Sequence, residues 1–319
     1  MFKRILIPLD ESALAEQTLT YLPRFIDPAK TEVVLVSVLE TMRYAATAYE
    51  YAPQMIDEVY KSYEMYLKTM QQWLHDHGYV GYTKLVEGDA ADQILAVAQK
   101  TDADLIAMTT HGRSGVARLA MGSVAERVIQ HATTPVLLVR EQTAMPHTKI
   151  ERILVPVDGS VFAEQALSQA QTLAQATKAE LRLLEVVTLI DLPVGLAYTS
   201  SPSSFALGDD SAFNNAEANM KSLALRMQAA GVTCQTTVLR GDPASVICNV
   251  VNESQIDVVV ISTHGRTGFK RWVYGSVAHQ VLHGVNCPVL VLRGIQPETV
   301  KTPLAKTPIV KTLEEKEKS

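Results

Sequence analysis

Apolar positions along this chain follow two alternating rhythms. Short unbroken runs come first: Arg4-Ile5-Leu6-Ile7-Pro8-Leu9, then Val33 to Leu39, Tyr82 to Val86 and Asp104 to Met108. The second is rich in β-branched residues, with no polar alternation until its end, as in a parallel strand buried on both faces. Between the runs the spacing turns helical. Ser12 opens a pattern with Leu14, Leu19 and Leu22 near one face, and a longer one runs from about Met55 to His77 and stops at Gly78. A third, Ala90 to Lys100, follows Asp89, which is placed to cap it. Ser123-Val124-Ala125-Glu126 then fits a capping box, serine accepting from the third helical amide while glutamate reaches back. Pro135 to Val139 is the last strand of the series, and the segment from Glu40 to Pro53 has no clear period.

The whole order then occurs again. Ile153 to Asp158 answers Ile5 to Asp10, and Leu181 to Val187 answers the second run. Asp191 to Asp210 is again read as a long irregular insertion, and Asn214 to Ala230 as the long helix, ended by Gly231. Val232 to Leu239, the turn Gly241-Asp242-Pro243 and Ile256 to Ile261 follow in place; Pro243 suits a first helical position, where its missing N–H is not needed. Cys287 to Leu292 closes the second unit. The expected division is a first domain at 1–140, a linker at 141–150, a second domain at 151–294 and a disordered tail at 295–319, whose Pro/Thr/Lys-rich and then charged composition cannot form a core.

Strands alternating with helices at these lengths predict an α/β fold: two tandem doubly wound domains, each a five-stranded parallel sheet with helices on both faces. With strand order 3-2-1-4-5, a crevice opens between the first and fourth strands, where such sheets take ligands. Composition narrows the function. The apolar fraction of 47% and charged fraction of 20% are those of a soluble globular protein. A net charge of -5 lacks the basic footprint of a nucleic-acid binder, and no apolar run approaches the ~20 residues of a membrane helix. The basic N-terminus resembles the start of a signal peptide, but its apolar run is short and Asp10 cuts it off, so a cytoplasmic protein is expected. Cys234, Cys248 and Cys287 have no paired spacing and are read as small buried core residues.

The candidate chemistry lies where the fourth strand of each unit ends. Thr109-Thr110-His111-Gly112-Arg113-Ser114-Gly115 is followed by Gly122-Ser123-Val124, and Ser262-Thr263-His264-Gly265-Arg266-Thr267-Gly268 by Gly275-Ser276-Val277. Each stretch offers successive backbone N–H groups and then a helix N-terminus, which carries unsatisfied donors and partial positive charge; phosphate is the natural guest. Arg113 and Arg118 add charge in the first unit. Asp10, ending the first strand, either accepts from a base or ribose or helps to hold a metal ion on the phosphates.

These residues resemble the universal stress protein family in its tandem form. The resemblance rests on the Ile-Leu-(Ile/Val)-Pro-(Leu/Val)-Asp start, the Thr-His-Gly-Arg-(Ser/Thr)-Gly loop, the Gly-Ser-Val-Ala helix start and the final Pro-Val-Leu strand, and it covers nearly all of residues 1–294. Its ATP-binding branch carries Gly-x-x-Gly, nine residues, then Gly-(Ser/Thr), and here nine residues separate Gly112 from Gly122-Ser123 and Gly265 from Gly275-Ser276. The resemblance implies that these segments hold the triphosphate and ribose of ATP, with or without magnesium. It puts Asp10 and Asp158 near the nucleoside, with Pro8 and Pro156 in the same strand ends, and Val38 and Val186 against adenine. The first glycine of the pattern is replaced by Thr109 and Ser262, whose side chains narrow the space for phosphate and also supply a hydroxyl. Glu11 stands where the second unit has Gly159, an unfavourable charge beside a polyphosphate. The resemblance also implies that the last strands pair, here within one chain, with a homodimer as a further expectation.

A nucleotide-binding regulator or binding module of the stress response is the leading reading. The alternatives are a slow ATP-hydrolysing or adenylyl-transferring enzyme, for which His111 and His264 are the candidates, and a dimerisation scaffold that has lost its nucleotide. No Walker lysine follows the glycines and no carboxylate pair stands out, so a fast enzyme is not expected.

Overall fold

The computed structural model describes residues 2–40, 52–110, 121–140, 149–188, 202–263 and 275–294. The first unit runs β1 (Arg4–Pro8), α1 (Ala13–Phe25), β2 (Glu32–Leu39), α2 (Ala52–Asp76), β3 (Val80–Glu87), α3 (Ala90–Lys100), β4 (Leu105–Thr109), α4 (Ser123–His131) and β5 (Val136–Val139). The second repeats it as β6 (Arg152–Val157), α5 (Val161–Thr177), β7 (Glu180–Val187), α6 (Pro202–Ala229), β8 (Cys234–Arg240), α7 (Pro243–Glu253), β9 (Val258–Ser262), α8 (Ser276–Gly284) and β10 (Val289–Leu292).

Within each unit the strands are parallel in the order 3-2-1-4-5, and the two sets join in one sheet ordered β3-β2-β1-β4-β5-β10-β9-β6-β7-β8. The junction is antiparallel, with Val289 opposite Leu138, Leu290 opposite Leu137 and Val291 opposite Val136. All four residues of β5 and of β10 are buried. Pairing thus covers two apolar strands that would otherwise be open edges, a standing hazard for association.

Side-chain alternation sorts the two faces. Ile5, Ile7, Val33 and Leu35 face a core that takes Leu19 of α1, Leu67 of α2, Leu167 of α5 and Met220 of α6. Leu6, Val34 and Val36 face the other, with Ile94 of α3, Val128 of α4, Ile247 of α7 and Val281 of α8. Each face runs through both units, so the core is continuous across the junction. Ser12, Asp89, Ser160 and Asp242 cap α1, α3, α5 and α7 by accepting from backbone amides.

Three expectations need correction. The capping box at Ser123 does not form: the chain enters α4 one residue earlier, with Gly122 as the cap and no side chain bonded there. The Gly122 amide donates to the Thr110 carbonyl at 2.7 Å and its own carbonyl accepts from Glu126 at 3.0 Å, which fixes the turn on the glycine. Glu126 instead accepts from Gln130. The insertion read over 191–210 ends sooner, because α6 starts at Pro202; proline is preorganised for a first helical position and Phe205-Ala206-Leu207 can propagate it. Of the cysteines, Cys287 is buried but Cys234 and Cys248 are only half-buried, and all three are free thiols. Burial pushes the Cys287 thiol up to about 12, which keeps it unreactive. The linker at 141–148, most of the two insertions and the tail from 295 lie outside the described residues.

Candidate functional site

The order of the sheet makes β1 the neighbour of both β2 and β4, and β6 that of both β7 and β9. The chain reverses direction of winding there, so a crevice opens outside the carboxyl ends of those strands. Topology brings the Asp10 turn, the end of β2 at Val38, the end of β4 at Thr109 and the start of α4 to one rim of the sheet. The Asp158 turn, Val186, Ser262 and the start of α8 share the opposite rim, because the two units meet antiparallel.

The hydrogen bonds that shape each rim are duplicated. Thr110 donates its amide to Val139 at 3.1 Å and accepts from Gly122; Thr263 donates to Leu292 at 2.9 Å and accepts from Gly275 at 2.8 Å. The strand end, the helix start and the last strand are thereby tied into one frame. Thr109 and Thr110 are buried, as is Thr263, whereas Ser262 is half-buried. Val38 and Val186 are partly buried against the core on the α3/α4 and α7/α8 face, as are Val124 and Val277. Pro8, the last residue of β1, pairs with Val36, and Pro156, next to the last of β6, with Leu184. His111 to Gly115, Arg118 and His264 to Gly268 lie outside the described residues.

The helix starts differ in kind. Each of α1, α3, α5 and α7 has a serine or aspartate bonded over its first turn. Both α4 and α8 begin on a glycine, and neither has a side-chain cap. A helix start carries backbone donors with no intrahelical partner, and an anion can satisfy them. Among the helix starts whose caps are described, the two without a capping side chain are the two that follow the repeated glycine motif.

Asp10 has a structural role that motif reading passes over. Its Oδ1 accepts from the Ser12 amide at 3.1 Å and from the Ser12 hydroxyl at 2.5 Å, and so sets the residue that caps α1. Asp158 accepts from the Ser160 amide at 3.0 Å. Between each aspartate and its serine the backbone turns left-handed, at Glu11 with φ 64° and at Gly159 with φ 74°. Tyr66 of α2 is the residue sequence reasoning missed. Burial pushes its hydroxyl above the usual range, and the nearby carboxylates of Glu16, Asp10 and Glu11 push it further. Its helical spacing with Tyr63, Leu67 and Met70 reads as core, and no local signal distinguishes it. Asn219 stands at the matching place in α6 and is exposed.

Comparison with known proteins accounts for the repeat. The model of the universal stress protein family matches residues 1–140 and, a second time, residues 149–293. The chain belongs to the universal stress protein family. It is 32% identical over 142 residues to a universal stress protein of Methanocaldococcus jannaschii, a match spanning 44% of this chain and 84% of that protein. A universal stress protein of Mycolicibacterium smegmatis aligns over 301 residues at 22% identity, covering 91% of this chain and 96% of that one. Among solved structures, a universal stress protein from Archaeoglobus fulgidus superposes with a TM-score of 0.68 at 20% identity, over 91% of this chain and 96% of that chain, which speaks to the fold. This universal stress protein therefore carries the family's unit twice. Among its described residues no helix is long and apolar enough to cross a membrane, and no cluster of three or more His, Cys, Asp or Glu could hold a metal ion.

Proposed function

We propose that this universal stress protein is a regulator or binding module of the stress response, with residues 1–140 and 151–294 as two domains that bind ATP or a related adenine nucleotide. The single observation that carries the reading is the pair of open helix starts. Gly122 and Gly275 are caps without a side chain, whereas the described caps of α1, α3, α5 and α7 are each filled by a serine or an aspartate. The donor set suits a polyphosphate: the first-turn amides of α4 and α8 donate to phosphate oxygens, and the aligned peptide dipoles favour the negative charge by about 0.3–1 kcal/mol in each case. Ser123 and Ser276, released from capping, are free to donate hydroxyl protons to the same oxygens. Asp10 and Asp158, each with one oxygen fixed on the following turn, face the nucleoside end, and Val38 and Val186 supply apolar surface for a base.

The second site is the better of the two for a polyphosphate. The first gathers Asp10, Glu11 and Glu16 around Tyr66. In the second, Gly159 replaces Glu11, and Glu164, the counterpart of Glu16, is neutralised by Arg226 at 2.7 Å. One carboxylate fewer at the rim, and an arginine beside Glu164, mean less repulsion of phosphate.

The test is direct. Nucleotide released by denaturing the purified protein is identified by chromatography, and titration calorimetry with ATP then gives stoichiometry and affinity. Gly122→Trp and Gly275→Trp should each remove one site, the second causing the larger loss of tight binding. Unchanged affinity and stoichiometry in the double variant would sink the assignment. Absence of turnover with labelled ATP separates a binding module from a slow enzyme.

A further inference from the structure

Each unit ends its last strand in an arginine, Arg140 after β5 and Arg293 after β10, and both reach across the junction. The Arg140 guanidinium of the first unit donates to the Leu282 carbonyl, and to the His283 carbonyl at 3.3 Å, in the last turn of α8. Arg293 of the second unit donates to the His131 carbonyl at 3.3 Å, the last residue of α4. The antiparallel junction makes this possible, because the carboxyl end of each last strand lies beside the amino end of the other, where the preceding helix arrives.

Both recipients are the helices whose N-termini are the open caps. At nine residues each, α4 and α8 are too short to hold together on their own hydrogen bonds. Their last carbonyls lack intrahelical partners, and a cation there is favourable to the peptide dipoles. The bonds form a closed circuit. From Val139 it passes through Thr110 and Gly122 into α4, across to Arg293, back through Leu292, Thr263 and Gly275 into α8, and across again to Arg140.

We propose that Arg140 and Arg293 are positioning residues that act crosswise, each holding the phosphate-facing helix of the other unit and so linking the two nucleotide sites. The sites then communicate without touching: a ligand that tightens one helix start tightens the frame from which the opposite arginine reaches. Arg140, whose bond to α8 is partly buried where that of Arg293 to α4 is exposed, has the larger effect, and the second site depends on it.

The proposal rests on the nucleotide reading, and its test has one arm that does not. Arg140→Met and Arg293→Met keep the aliphatic stem and remove the donors. In the absence of nucleotide, amide hydrogen exchange should accelerate in Ser276–Gly284 for Arg140→Met with Ser123–His131 unchanged, and the reverse for Arg293→Met. With ATP, Arg140→Met should weaken binding at the second site by about threefold to tenfold and leave the first unaltered when the second is blocked by Gly275→Trp; Arg293→Met should do the opposite, less strongly. Lysine at either position, which keeps the charge, should recover part of the loss. Effects confined to a variant's own unit, equal effects at both sites, or no change in exchange or affinity would overturn the crosswise assignment. Should the unaltered protein bind no ATP, the nucleotide reading falls alone, and the exchange pattern still decides whether each arginine holds the opposite helix.

Discussion

The two units share strand order, caps and hydrogen-bond frame, yet among the described residues an ion pair crosses the junction in one direction only. Asp257, just before β9, accepts with Oδ2 from the Glu151 and Arg152 amides at 2.8 and 2.9 Å. Asp104, before β4, accepts from the matching Lys3 and Arg4 amides at 2.7 and 3.1 Å, one on each carboxylate oxygen. Only Asp257 also meets an arginine from the other unit, Arg24 of α1 at 3.6 Å, the two side chains being 6% and 2% exposed. The position in α5 that matches Arg24 is Thr172, which is exposed and bonds within its own helix. Duplication thus preserved what each unit needs to fold and left the contact between units free to diverge. Burial pulls the Arg24 guanidinium below its ordinary value while Asp257 pulls it back, so the pair is sustained by its geometry.

The largest effect should come from breaking that asymmetry. Arg24→Met leaves Asp257 buried without its counter-ion and should cost about 3 kcal/mol, read as a lowered urea midpoint. Asp257→Asn in the same background should recover most of the loss, since the amide oxygen still accepts from the two backbone donors. A loss no greater than that of an exposed arginine would show that the pair contributes nothing to the junction.

A smaller effect should come from exchanging the residues of the first turn. Glu11 and Gly159 occupy the same left-handed conformation, which costs a residue with a side chain about 1 kcal/mol. Glu11→Gly should stabilise the protein by about that much, and Gly159→Glu should destabilise it similarly. On the reading of the rim as a phosphate site, the first change should also strengthen ATP binding at the first site and the second weaken it at the other. Stability that rises without a change in affinity would show that Glu11 lies too far from the phosphates to matter.

The sequence was most informative where one local rule decides the outcome. Val33 to Leu39 could only be a strand buried on both faces, and Asp89 before Ala90 could only be a cap. It misled where two local rules competed. Ser123 fits a capping box, but the bond from the Gly122 amide to Thr110, a residue twelve positions earlier in the chain, starts the helix on the glycine. The start of α6 was missed because Pro, Ser and Gly are common to loops and helix entries alike. Tyr66, Arg24 and the crosswise arginines were beyond reach for another reason: their partners lie on distant elements, and no periodicity records which helix will meet which strand end.

The smallest predicted effect separates the two α3-type helices. Arg127 of α4 bonds Asp89 at 2.6 Å and Asp92 at 2.9 Å, on the surface of the first unit. The second unit has Gln280 at the matching place. There Asp242 is held below the usual carboxylate range by the Ser245 amide, at 2.9 Å, and the Ser245 hydroxyl. Burial pushes the Asp89 carboxyl up, but the bonds from Arg127 and from the Asp92 amide outweigh this and hold it below its ordinary value. Both aspartates therefore favour folding above the unfolded carboxylate pKa of about 3.9, and that contribution disappears as pH falls through their lower folded values. Arg127→Gln should bring the first unit to the condition of the second. Urea titrations of the parent and the variant should differ slightly at neutral pH, converge in acid as Asp89 protonates, and converge also in high salt, because the pair is exposed and screened. A difference that persists in acid and in salt would mean that Arg127 acts by packing its stem between α3 and α4 instead of by charge.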